Sequence, residues 1–150
     1  MEFIKVSEEK DYKCADELFN LLVKYDSDFD TIINGACLID GFNRAISQDE
    51  DSFVYYAKDN DNLVGYIYAY LKTKKNKVIT SNVIDLEALF VKEEYRSQGV
   101  GKELMYLLEK WAKDKYSDYV IEITCLSDNK KALDFYKTLG YREVKTILRK

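Results

Sequence analysis

Apolar side chains recur along this chain with two periods, and the switches between them mark out its elements. Phe3-Ile4-Lys5-Val6 alternates weakly and predicts a short strand over 3–6, with Ser7 as the cap of a helix. Cys14, Ala15, Leu18, Leu21, Leu22 and Tyr25 recur at spacings of three and four and predict that helix over 11–25. Residues 26–51 are less regular, although Phe42, Ala45 and Ile46 fit a second, short helix. Residues 53–58 and 63–71 are rich in aromatic and β-branched types and are separated by Asp59-Asn60-Asp61-Asn62, which predicts a hairpin with a four-residue turn. A Lys-rich stretch over 72–77, read as a charged hairpin end guarding an edge strand, leads to a third antiparallel strand over 83–91.

The period changes after Arg96-Ser97-Gln98-Gly99-Val100-Gly101, where Leu104, Leu107, Leu108, Trp111 and Ala112 define an amphipathic helix. A buried strand over 120–125, a helix over 130–139 closed by Gly140 and a last strand over 141–148 complete the pattern. Strand–helix–strand in this half is a crossover. The expected sheet is therefore mixed, antiparallel early and parallel across the pair that flanks the long helix.

No repeat, linker or low-complexity stretch divides the 150 residues, so one domain over 1–150 is expected. Composition then removes whole classes of chemistry. There is no His, hence no Ser-His-Asp triad, no Cys-His pair and no imidazole base. Cys14, Cys37 and Cys125 are odd in number and widely spaced, and are read as reduced core thiols with no metal site. The amino terminus lacks a signal-peptide pattern, and no apolar run reaches the roughly 20 residues of a membrane span, so a cytoplasmic, non-membrane protein is expected. A net charge of −4 argues against nucleic acid as partner.

Two glycines at a strand-to-helix turn let an anion approach amides that the first helical turn leaves unpaired. The spacing in Arg96-Ser97-Gln98-Gly99-Val100-Gly101-Lys102 is neither a Walker loop nor a dinucleotide fingerprint, because Leu104 stands where the third glycine would be. Taken with Leu86–Tyr95 before it, and with Asn129-Lys130-Lys131-Ala132-Leu133-Asp134-Phe135-Tyr136-Lys137-Thr138-Leu139-Gly140-Tyr141 after the next strand, it closely resembles the GNAT superfamily of N-acetyltransferases over about residues 83–149.

The resemblance implies an α/β (α+β) fold with a mixed sheet of six to seven strands, a splayed parallel pair at strands four and five, and about four helices. It implies acetyl-CoA as cosubstrate and direct transfer to an amine through a tetrahedral intermediate. The amides of Gln98, Gly99, Val100, Gly101 and Lys102 would hold the CoA diphosphate, with Arg96 and Ser97 at the mouth of the loop. Leu89, Phe90 and Val91 would lie where the fourth strand bulges and would pair with the pantetheine arm, an amide near Leu89 facing the thioester carbonyl. Asn129 would bond the cofactor, and Tyr136 matches the general acid. The proton leaving the amine is assigned to Glu87, Glu122 or a water chain, and these alternatives stay open.

The acceptor is less legible. Residues 26–51 carry seven acidic side chains against Arg44 alone, a net of −6, which would steer a cationic amine such as a polyamine, an aminoglycoside or a lysine-like side chain. Two readings from other classes stand beside catalysis. One is a non-catalytic acyl-CoA sensor on the same fold. The other is an interaction module whose Tyr-rich hairpin over 55–70 forms a partner face, and a homodimer fits the resemblance.

Overall fold

The computed structural model covers residues 1–150. A short strand, β1 (Glu2–Lys5), leads into α1 (Glu9–Asp26) and, after an irregular stretch, α2 (Phe42–Ile46). A meander of β2 (Ser52–Asp59), β3 (Asn62–Thr73) and β4 (Asn82–Val91) follows. A 3₁₀ turn at Glu93–Tyr95 then precedes α3 (Val100–Lys115), β5 (Tyr119–Ile123) and α4 (Lys130–Thr138). One sheet runs in the order β1-β2-β3-β4-β5, antiparallel except for the parallel β4–β5 pair that α3 connects. The mixed α/β sheet and four helices agree with expectation, but the strands number five, not six to seven.

The missing strand is 141–148. Strand propensity records how well a side chain fits a half-buried pleated surface, and this segment finds none: Val144, Ile147 and Leu148 are 60%, 81% and 90% exposed. Side-chain pairs hold it instead, Lys145 Nζ to Glu122 at 3.2 Å and Arg149 to both oxygens of Asp30 at 2.8 and 3.0 Å. Local details also shift. Glu8, not Ser7, caps α1, because the Asp11 carboxylate reaches back to accept from the amides of Ser7 (3.2 Å) and Glu8 (3.0 Å). The β2–β3 turn is two residues shorter than expected, with Asp59 paired to Asn62 and Asn60 in the left-handed region. The Lys-rich 72–77 stretch joins central strands, so it guards no edge, and Lys75 pairs with Asp118 at 2.9 Å. The three cysteines are free thiols, but none is fully buried and Cys37 is exposed.

Each face of the sheet has its own core. On one, Ala15, Leu18 and Leu22 of α1 pack on Val54, Tyr56, Tyr66 and Phe90. On the other, Leu104, Met105, Leu108 and Ala112 of α3 pack on Phe53, Ile67, Ile84 and Leu86. Tyr56, Tyr66 and Tyr68 are buried in the first of these cores, whereas Tyr55 and Tyr70 of the same hairpin are only partly buried.

A bulge in β4 positions the site. Tyr68 pairs with Ala88 and Ala69 with Leu86, leaving Glu87 as an extra residue without an opposite number. Ile84 and Leu86 therefore face α3, whereas Ala88 and Phe90 face α1, a reversal that strict alternation would forbid. The break in register falls ahead of the 89–91 segment where the bulge was expected.

On the α1 side a buried polar network holds α2. Asp16 accepts from the amides of Gly41 (2.9 Å) and Asn43 (3.0 Å) and from the Asn43 side chain (2.7 Å), while Asn43 Oδ1 accepts from the Tyr66 hydroxyl (2.6 Å). Asp16→Ala would strand three donors in a site with little water. A loss of about 3 kcal/mol is expected, read as a lower urea midpoint at unchanged slope.

Candidate functional site

Pairing between β4 and β5 stops at Leu86–Ile123. Beyond it the strands separate, and the space between them opens into a cavity of about 740 Å³ that reaches α1, the start of α3 and one side of α4. Residues 87–91 remain bound to β3 on one edge but have no strand on the other. Glu87, Leu89, Phe90 and Val91 line the opening, as do Thr124, Cys125 and Leu126 across it.

The start of α3 forms one end. Gly99 caps the helix in the left-handed region (φ +84°), and no side chain caps it, so the first-turn amides have no partner within the helix. Ser97 is also left-handed (φ +62°), a conformation that costs a non-glycine residue energy and turns the loop sharply into the helix. Ser97, Gly99, Val100, Gly101 and Lys102 line the cavity. The Gln98 side chain turns back to donate to the Glu94 carbonyl at 3.0 Å.

The two glycines do different work. A Cβ at Gly99 would meet nothing within 4 Å, so its requirement is conformational. A Cβ at Gly101 would stand 3.2 Å from Phe135 Cζ, so that glycine allows α4 to lie against α3. Arg96 fixes the loop: its Nε donates to the Val91 carbonyl at 2.8 Å and its guanidinium lies 4.9 Å from the centre of the Tyr25 ring.

α4 supplies the opposite wall. Asn129 caps it, accepting from the Ala132 amide at 3.3 Å, and faces the cavity. Seven residues on, Tyr136 lies on the same side of the helix and also lines the cavity. Burial, reinforced by Cys125 and Asp26, holds its phenol well above the ordinary Tyr value, so it stays protonated at neutral pH.

The two carboxylates named from the sequence part company. Glu87 faces the cavity, and its carboxyl is raised by burial and by the neighbouring Asp85. Glu122 lies on the paired part of β5, opposite Asp85 in register, outside the cavity and bound to Lys145. Asp26 and Cys125 are among the cavity residues that the sequence reading did not place in the site. Cys125 gave no signal beyond its place at a strand end. Asp26 did give one, as an acid at the carboxyl end of a helix, where the backbone dipole disfavours negative charge.

The fold recurs in solved structures. A mutant of the BH1408 protein from Bacillus halodurans superposes with a TM-score of 0.84 over 99% of this chain and 98% of its own at 21% identity. The aminoglycoside 6'-N-acetyltransferase AAC(6')-Ih from Acinetobacter baumannii does so at 0.77, over 99% and 95%, at 20% identity. AAC(6')-Iy bound to a CoA–acetylneamine bisubstrate analog also reaches 0.77, over 99% and 95%, at 17%. These identities establish likeness of fold.

Among sequences, a thialysine N-epsilon-acetyltransferase from Sus scrofa is 42% identical over 65 residues, which are 43% of this chain and 38% of that protein. An uncharacterized N-acetyltransferase from Methanocaldococcus jannaschii is 27% identical over 106 residues, 71% of this chain and 46% of that protein. The chain thus matches less than half the length of either relative. The family model described as acetyltransferase (GNAT) family spans residues 15–141, from the first helix through the glycine turn to the end of α4, and on that span this chain belongs to the GNAT acetyltransferase family.

Proposed function

We propose that residues 1–150 act as one domain, an acetyl-CoA-dependent N-acetyltransferase that moves an acetyl group directly onto a primary amine of a small molecule or peptide. One observation carries the reading: the break between β4 and β5 puts the uncapped start of α3, the unpaired edge of residues 87–91 and the Tyr136 side chain around one cavity. The residues present fit CoA. The amides from Gln98 to Lys102 suit a diphosphate, and the free edge at Leu89, Phe90 and Val91 suits the peptide-like pantetheine. Asn129 stands between these and Tyr136.

In this reading the Leu89 amide faces the thioester oxygen, where a preorganised donor is worth about 10²–10³ in rate. The amine nitrogen forms the new C–N bond as the C–S bond breaks, and Tyr136 gives its proton to the departing thiolate. An amine of pKa about 10.4 holds its proton at pH 7 at a cost of roughly 4.6 kcal/mol for removal. Glu87, whose carboxyl is shifted upward and which faces the cavity, is the acceptor we favour; Glu122, engaged with Lys145, is less suited. A cationic acceptor is consistent with the solved neighbour whose bisubstrate analog joins CoA to an aminoglycoside.

Four outcomes check this. Free-thiol release from acetyl-CoA should appear with at least one member of a panel of polyamines, aminoglycosides, amino acids and peptide amino termini; CoA binding without any turnover would favour the sensor. Tyr136→Phe should cut kcat by about 10²-fold or more with little change in acetyl-CoA affinity, whereas unchanged turnover would remove it as the acid. Glu87→Gln should abolish the low-pH limb of the rate profile, since a base must be unprotonated to act; an unaltered profile assigns the proton elsewhere. Gly99→Ala should weaken CoA binding measured by calorimetry through strain at the helix start, and equal affinity would show that the loop does not hold the diphosphate.

A further inference from the structure

Of the seven acidic side chains in residues 26–51, Asp26 is the one that lines the cavity. Others are already satisfied: Asp30 by Arg149, and Asp51 by Lys115 and the Tyr116 hydroxyl. Asp26 is not. It is half-buried, burial moves its carboxyl upward from the ordinary value, and no salt bridge or side-chain hydrogen bond holds it. It is also the last residue of an 18-residue helix, at the negative end of the backbone dipole. Three features that disfavour a carboxylate therefore coincide at a position in the site, and such conflicts mark groups kept for a ligand.

Its neighbours say what the ligand is. Asp26 is close enough to Tyr136 and Cys125 for its charge to hold both of their protons more tightly. Glu87 belongs to a separate group, in which it interacts with Asp85, Lys72, Tyr68 and Tyr70. Of the four carboxylates that line the cavity, Asp26, Glu87, Glu93 and Asp134, Asp26 is the one whose charge reaches the phenol.

We propose that Asp26 is the binding residue for the acceptor, pairing with a cationic amine and holding it next to the Tyr136 hydroxyl. This rests on the N-acetyltransfer reading and deepens it. An ammonium placed there answers all three unfavourable features at once: it neutralises the half-buried charge, supplies the missing partner and suits the carboxyl end of α1. A neutral acceptor would answer none of them.

The test uses the full chain, acetyl-CoA, and spermidine, lysine and kanamycin as amine probes. Asp26→Asn should raise KM for the best probe about tenfold or more, leave KM for acetyl-CoA within about twofold, and leave Tm unchanged or higher. Asp26→Glu should recover part of the amine affinity. An unchanged amine KM, or an equal rise in both constants, overturns the assignment while transfer itself stands. Calorimetric titration of the same three probes into the CoA-bound protein reads binding without turnover. Loss of about tenfold in Asp26→Asn supports the assignment even if no acetyl moves, and equal affinity in the two proteins, or no binding to either, overturns it.

Discussion

The extra residue at Glu87 is the constraint on which the rest of this molecule depends. β4 continues along β3 on one edge, while its pairing with β5 on the other ends at Leu86, so the sheet opens where the bulge lies. The same residue exchanges the two faces. Before it, β4 gives its apolar side chains to α3; after it, to α1. Both cores thereby reach the opening, and a cavity that would otherwise cost stability is lined by side chains already committed to packing on either side.

Polar groups inside the molecule are handled by fixed networks. Asp11 joins the start of α1 to Tyr56 on β2, with the hydroxyl donating at 3.1 Å, and Asp16 joins α1 to α2 and, through Asn43, to Tyr66 on β3. No buried side-chain nitrogen or oxygen is left without a partner. Some of the thirteen tyrosines serve both needs: Tyr56, Tyr116 and Tyr141 donate to Asp11, Asp51 and Glu109, and Tyr66 to Asn43, while their rings supply apolar area. The chain's lack of His removes a common base from the site but none of the groups that line it, because amides, a phenol and carboxylates do that work.

Elements with strong local periodicity could be read directly from the sequence. The α3 stripe from Leu104 to Ala112, the β2–β3 hairpin and the Asn129-to-Gly140 helix lie within a residue or two of expectation, since each carries its own hydrophobic face and its own stop signals. The glycine turn and Tyr136 were legible through motif spacing. Where long-range partners decide, the sequence was silent. Residues 141–148 have the composition of a strand but are drawn away by Lys145 and Arg149, and Glu122, apt by sequence, meets Lys145 outside the cavity. Asp26 looked like one acid among seven because its one local signal, a place at the carboxyl end of α1, does not tell which of them the tertiary fold turns inward.

The contact between Gly101 and Phe135 ties the two ends of the site together. Phe135 is adjacent to Tyr136, and its ring leaves so little room at the first turn of α3 that the two helices cannot slide past each other there. The first turn of α3 and the turn of α4 that carries the phenol are therefore in contact through one aromatic ring. In the proposed reaction, anchor and proton donor would thus sit on two helices whose approach is set by the methyl group that Gly101 lacks.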